Sequence, residues 1–265
     1  MVDPKNPGCV DEILHLGDYW DTDAMEKNKS EILISNKKVG KHFARAYKFL
    51  TSAKEIMDDI EDMTTAAMHF GKINIITEKL LKELMGSMAA ADCPGKERHL
   101  FGSAYTPGGF VDYSDTVLDK VDRVFCIEGR PGTGKTNMLN KLALHALERG
   151  LCVEYFHAPL KPQKLDSIVI KELGLAVTCS SKGKDYADRI VDLNEYLDEN
   201  YMDEVGDLIK RDYEAFDLLL EEALNSILAA KTVHDELETY YVPNMDFEGV
   251  DKLRERTIER ILGYN

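Results

Sequence analysis

The sequence has almost no tryptophan. Trp20 is the single indole in 265 residues, and aromatic residues make up only 8% of the chain. Cysteine is sparse too. Cys9, Cys93, Cys126, Cys152 and Cys179 are odd in number and scattered, with no C-x-x-C pair. That excludes a disulfide framework, speaks against a zinc cluster, and reads as buried thiols of a reducing compartment. Positive charge is in deficit: 33 Lys and Arg stand against 48 Asp and Glu, a net charge of −15. A surface of that sign is unsuited to broad nucleic-acid binding. No apolar run approaches the roughly 20 residues of a membrane span, and Met1–Gly8 lacks the charged start and apolar core of a signal peptide. The expectation is a cytoplasmic protein without a membrane partner. At this length the chain can bury a substantial core, in one large domain or two small ones.

Residues 123–136 read Arg-Val-Phe-Cys-Ile-Glu-Gly-Arg-Pro-Gly-Thr-Gly-Lys-Thr. Gly129, Gly134, Lys135 and Thr136 fill the pattern G-x-x-x-x-G-K-(S/T) of a phosphate-binding loop (P-loop). The context fits: Val124–Ile127 is a short apolar run suited to a buried parallel strand. Met138, Leu139, Leu142, Ala146 and Leu147 then recur at helical spacing, and Gly150 stands just beyond the helix end. Each residue of the loop has a task. Gly132 and Gly134 let backbone N–H groups turn toward phosphate oxygens, Pro131 stiffens the turn, and Arg130 adds charge nearby. Thr133 completes the loop. Lys135 is expected on the β- and γ-phosphates as the charge-neutralising catalytic group, and Thr136 on magnesium. The ligands implied are ATP or GTP with Mg2+.

A second signal is an internal repeat. At an offset of 177, positions 11–86 lie on 188–263 without a gap. Ile13, Leu16, Tyr19, Asp21 and Met25 meet Ile190, Leu193, Tyr196, Asp198 and Met202, and Asp58, Glu61, Met68 and Phe70 meet Asp235, Glu238, Met245 and Phe247. Both copies read as a long or broken helix followed by a shorter one, with Pro243 breaking the second. The organisation expected is a helical module at 1–86, a linker at 87–97, a P-loop module at 98–187 and a helical module at 188–265. No loop precedes the first copy: subtracting 177 from Gly129 places one about fifty residues ahead of Met1. The chain is thus expected to begin inside the end of a first repeat. Expected partners are a nucleoside triphosphate, and either another copy of the chain or a separate first-repeat P-loop module.

This organisation resembles a bacterial family of tandem P-loop ATPase-like proteins. The stretches that carry it are Val2-Asp3-Pro4-Lys5-Asn6-Pro7-Gly8, Leu16-Gly17-Asp18-Tyr19-Trp20, Arg98-His99-Leu100-Phe101, Thr106-Pro107, the loop at 129–136, and Pro243-Asn244-Met245-Asp246-Phe247. The resemblance covers essentially the whole chain, except that the first P-loop module is lacking. It implies nucleotide binding and names no substrate.

The fold expected is α/β, a P-loop NTPase with a mostly parallel sheet and helical segments on both sides in sequence. Leu151–His157 reads as the strand after the loop helix. His157 at its end is a candidate to touch substrate or a water, and Glu154 is either an edge charge or a buried partner. A carboxylate for magnesium is harder to find. The apolar run Leu173–Ser181 ends in Thr178, Cys179 and Ser180 instead of Asp. Asp166 stands ahead of its apolar run, the wrong end for a parallel strand. Tyr105 and Phe110 are candidates to stack on a base, against ordinary packing. Three functions remain: a magnesium-dependent nucleoside triphosphatase, a small-molecule or nucleotide kinase with His157 and Glu154 shaping an acceptor pocket, or a non-catalytic nucleotide-binding switch or scaffold.

Overall fold

A computed structural model describes residues 5–264. Of the N-terminal stretch quoted above, residues 2–4 lie outside them. In chain order the elements are α1 (Thr22–Lys27), α2 (Lys29–Ala66), α3 (Phe70–Met85), β1 (Glu97–Phe101), β2 (Ser103–Thr106), β3 (Gly109–Asp112), α4 (Asp115–Leu118), β4 (Arg123–Glu128), α5 (Lys135–Leu147), β5 (Val153–His157), β6 (Leu165–Ile170), β7 (Leu175–Thr178), α6 (Gly183–Tyr186), β8 (Arg189–Asp192), α7 (Glu199–Tyr241) and α8 (Phe247–Leu262). Short 3-10 turns at Leu16–Tyr19 and Leu193–Tyr196 precede the long helices.

The fold is α/β. Six strands form one sheet in the order β1-β5-β6-β7-β4-β8, while β2 and β3 make a separate hairpin around Pro107 and Gly108. β1 runs parallel to β5, and β7, β4 and β8 run parallel to one another. β6 alone is antiparallel to both its neighbours. The central strands are apolar on both faces, as strands covered on two sides must be. Phe125, Tyr155, Ile168 and Val177 face one core, which α3 and α5 complete with Leu80, Leu84, Leu139 and Leu142. Val124, Phe156, Val169 and Ala176 alternate onto the other face, against Leu118 of α4.

The chain divides into two compact units, residues 1–44 with 229–265, and residues 45–228. The sheet, α3, α5 and the start of α7 belong to the second. The helical elements recur at the spacing of the sequence repeat: the turn Leu16–Tyr19 matches Leu193–Tyr196, and α3 matches α8 end for end. Their hydrogen bonds recur as well. In the first unit Asp21 N–H donates to Asn244 carbonyl at 2.9 Å and Asp246 N–H to Tyr19 carbonyl at 2.8 Å. In the second, Asp198 N–H donates to Ala67 carbonyl at 2.9 Å and His69 N–H to Tyr196 carbonyl at 3.0 Å. The bridges Trp20–Met245 and Met68–Leu197 complete the correspondence. In each unit the start of one copy is held by the end of the other.

Candidate functional site

β4 delivers the chain to the sheet edge at Glu128, and the glycine loop 129–136 turns it into α5. Two glycines make that turn possible. Gly132 has φ +88° and Gly134 φ +94°, the left-handed region that a side chain disfavours. Gly134 caps α5, so the first N–H groups of a 13-residue helix open toward the loop. Lys135 folds back: its Nζ donates to the carbonyls of Gly129 and of Arg130, the latter at 2.8 Å. Burial pushes the Lys135 pKa down, against the pull of Cys179, Glu61 and Asp166. Thr133 is fully buried and its hydroxyl donates to Arg130 carbonyl at 2.8 Å, so it braces the loop from within. Arg130 has an exposed side chain, and its N–H donates to Asn194 Oδ1 at 2.9 Å.

A cleft of about 580 Å³ opens over the loop, within the size range of small-ligand sites. Pro131, Gly132, Thr133, Gly134, Lys135 and Thr136 line it; Gly129 and Arg130 do not. Asp166 lines it too. The sequence places Asp166 at the wrong end of a strand, and the structure corrects that reading. β6 is antiparallel, so its first residues reach the edge where the parallel strands end. The register is fixed beside the loop, where Leu165 N–H donates to Thr136 Oγ1 at 3.3 Å. Burial pushes the Asp166 pKa up and Asp112 adds to the rise, while Ser103, Lys135 and His157 oppose it.

The other candidates separate from this cleft. Thr178 is fully buried and its hydroxyl pairs with Ser167 Oγ at 2.7 Å. Ser180 Oγ donates to Asp112 at 2.8 Å. His157 Nε2 lies 2.8 Å from His99 Nδ1, and its Nδ1 lies 2.5 Å from Pro162 carbonyl. Both ring nitrogens therefore have partners outside the cleft. Glu154 sits on an interior strand, meets Lys171 at 2.7 Å and Arg98 at 3.1 Å, and lines a different hollow. Tyr105 does line the cleft, and its ring lies 5.3 Å from that of Phe110. Phe110 lines a second cavity of about 150 Å³ with Ser103, Asp112, Phe156 and Ser180, and Asp166 borders both cavities.

Several cleft residues escape sequence reasoning. Lys161 is 4% exposed and meets Asp58 at 2.6 Å and Glu61 at 3.0 Å, while Lys164 meets Glu61 at 3.2 Å. Burial would raise the Asp58 pKa, but hydrogen bonds from Lys161 and Lys54 outweigh it and hold the carboxyl below its usual value. Thr65 donates to Gly132 carbonyl at 3.0 Å, and Phe70 stands against Gly134. The only signal in the sequence is that Asp58, Glu61 and Phe70 recur in the second copy.

No family model, curated protein or solved structure matches this chain. Among the described residues no helix is long and apolar enough to cross a membrane.

Proposed function

We propose that the cleft binds a nucleoside triphosphate with magnesium and hydrolyses it, with ATP as the natural ligand of a protein resembling tandem P-loop ATPases. The observation that carries this reading is the convergence of Lys135, Thr136 and Asp166 on one cleft at the N-terminus of α5. A lysine ammonium half-buried against neutral carbonyls gains from an anion at this place. Thr136 and Asp166 offer a hydroxyl and a carboxylate, the hard oxygen donors that magnesium takes together with phosphate oxygens. When bound, magnesium supplies neutralisation of phosphate charge. Lys135 adds a positive charge to the transferring phosphoryl group, and the opening N–H groups of α5 hold the anion in place. The five free thiols accord with a cytoplasmic setting.

Thermal-shift titration with ATP and magnesium, paired with phosphate release, tests the reading. Stabilisation and turnover are both expected. Stabilisation without turnover assigns the site to a nucleotide-binding switch or scaffold instead.

One observation favours a kinase as the second reading. The 150 Å³ cavity shares Asp166 with the loop cleft and has the dimensions of a small acceptor. ADP formation that requires an added hydroxyl compound selects it.

A further inference from the structure

The two halves of the repeat differ in what covers them. In residues 45–228, α3 packs on α5: Leu81 and Leu84 are each 8% exposed, and Met85 is 1% exposed. Their counterparts on α8 are Ile258, Ile261 and Leu262, which are 48%, 56% and 76% exposed. Phe247, the counterpart of Phe70 beside the glycine loop, is 55% exposed.

The charges repeat the same contrast. Lys54 meets Asp58 at 2.6 Å and Lys231 meets Asp235 at 2.5 Å, one turn along equivalent helices. Asp58 and Glu61 also receive Lys161 and Lys164 from the loop that leads into β6. The equivalent Asp235 and Glu238 have Lys231 and His234, both from α7 itself. The end of α7 and α8 thus present an apolar row and a carboxylate pair in the order in which α2 and α3 hold a sheet-bearing module.

We propose that this face of α7 and α8 is a docking surface for a second strand–loop–helix module, built like residues 94–187 and distinct from that segment. The occupant brings an apolar helix face to Phe247, Ile258, Ile261 and Leu262, and lysines to Asp235 and Glu238. A second copy of this chain does not supply it, because the matching face of its α5 is already covered by its own α3. The inference is independent of whether the cleft turns nucleotide over.

The test is to extend the full chain by placing a second copy of 94–187 directly ahead of Asp11, as Ala187 runs into Asp188 here. Tethering gives the added module a high effective concentration at its site. The readout is the alkylation rate of a Leu262→Cys variant, followed on its own peptide by mass spectrometry. The expected result is at least a tenfold slower reaction in the extended chain, restored by Asp235→Lys with Glu238→Lys. An unchanged rate overturns the proposal.

A second measurement needs no extension. Ile258→Asp with Ile261→Asp should leave the melting temperature of the original chain unchanged, whereas Leu81→Asp with Leu84→Asp should unfold it. A large fall for the α8 pair shows that the face packs within the chain, and overturns the proposal. So does a stable dimer in sedimentation that the α8 pair abolishes, since it assigns the face to a second copy.

Discussion

Leu165 and Thr136 are joined by a hydrogen bond of 3.3 Å from the backbone of one to the hydroxyl of the other. The bond ties the first residue of β6 to the first turn of α5. The next residue along, Asp166, is thereby held at the edge of the glycine-loop cleft. Nothing in local sequence distinguishes this aspartate from others near apolar runs; the reversal of one strand does.

Removing Lys135 should separate binding from stability. Lys135→Ala takes away a half-buried ammonium whose pKa is already pushed down by that burial. The free protein should melt at the same temperature or higher, and the shift produced by ATP and magnesium should vanish. A surviving shift places the nucleotide elsewhere.

Asp166 should set the acid limb of turnover. Its pKa is raised, chiefly by burial, so the protonated form is favoured in the folded chain and cation binding competes with that proton. Activity should fall on acidification at a pH above the ordinary carboxylate value, and in Asp166→Asn that limb should disappear. Because a folded-state pKa above the unfolded one opposes folding at neutral pH, Asp166→Asn should not lower the melting temperature at pH 7. Turnover should drop by about 10²-fold. A pH–rate profile of both proteins, beside their melting curves, checks the pair of outcomes.

Gly132 is constrained by its neighbours as well as by its backbone. A Cβ there would lie 2.3 Å from the carbonyl oxygen of Glu61, at a φ of +88°. Gly132→Ala should cost more than about 2 kcal/mol in urea unfolding. The loss should appear without nucleotide, since the clash is with α2 and not with a ligand.

The Lys161 cluster should be a pH-dependent brace. Lys161→Ala leaves the mostly buried Glu61 with Lys164 alone and should cost about 2 kcal/mol. The Asp58 pKa is held below its unfolded value, so its contribution is present at neutral pH and is lost as pH falls through the depressed value. Denaturant titrations of the parent chain and Asp58→Asn should therefore converge on acidification. Parallel curves down to about pH 2 would remove Asp58 from the brace.

The apolar run Val124–Ile127, and the helical recurrence of Leu139 and Leu142, made the β4–loop–α5 unit legible, because run length, period and glycine placement are local properties. The repeat was legible for a similar reason: its offset recurs in the turns Leu16–Tyr19 and Leu193–Tyr196 and in the ends of α3 and α8. Glu154 and His157 looked like site residues because they lie in the strand after the loop helix, His157 at its end. Arg98 and Lys171 on Glu154, and His99 on His157, come from segments whose placement is not encoded nearby.

The sequence by itself determined where a glycine-rich strand–helix loop stands, that Lys135 and Thr136 open its helix, and that two helical stretches share one plan. Each follows from short-range spacing, glycine freedom and helical period. Only the tertiary structure decided that β6 runs backward and carries Asp166 to the loop, and that Asp58 and Glu61 reach Lys161 and Lys164. It also decided that α3 is covered while α8 is not. Strand direction and burial depend on which distant surfaces meet, and that is settled by packing the whole core.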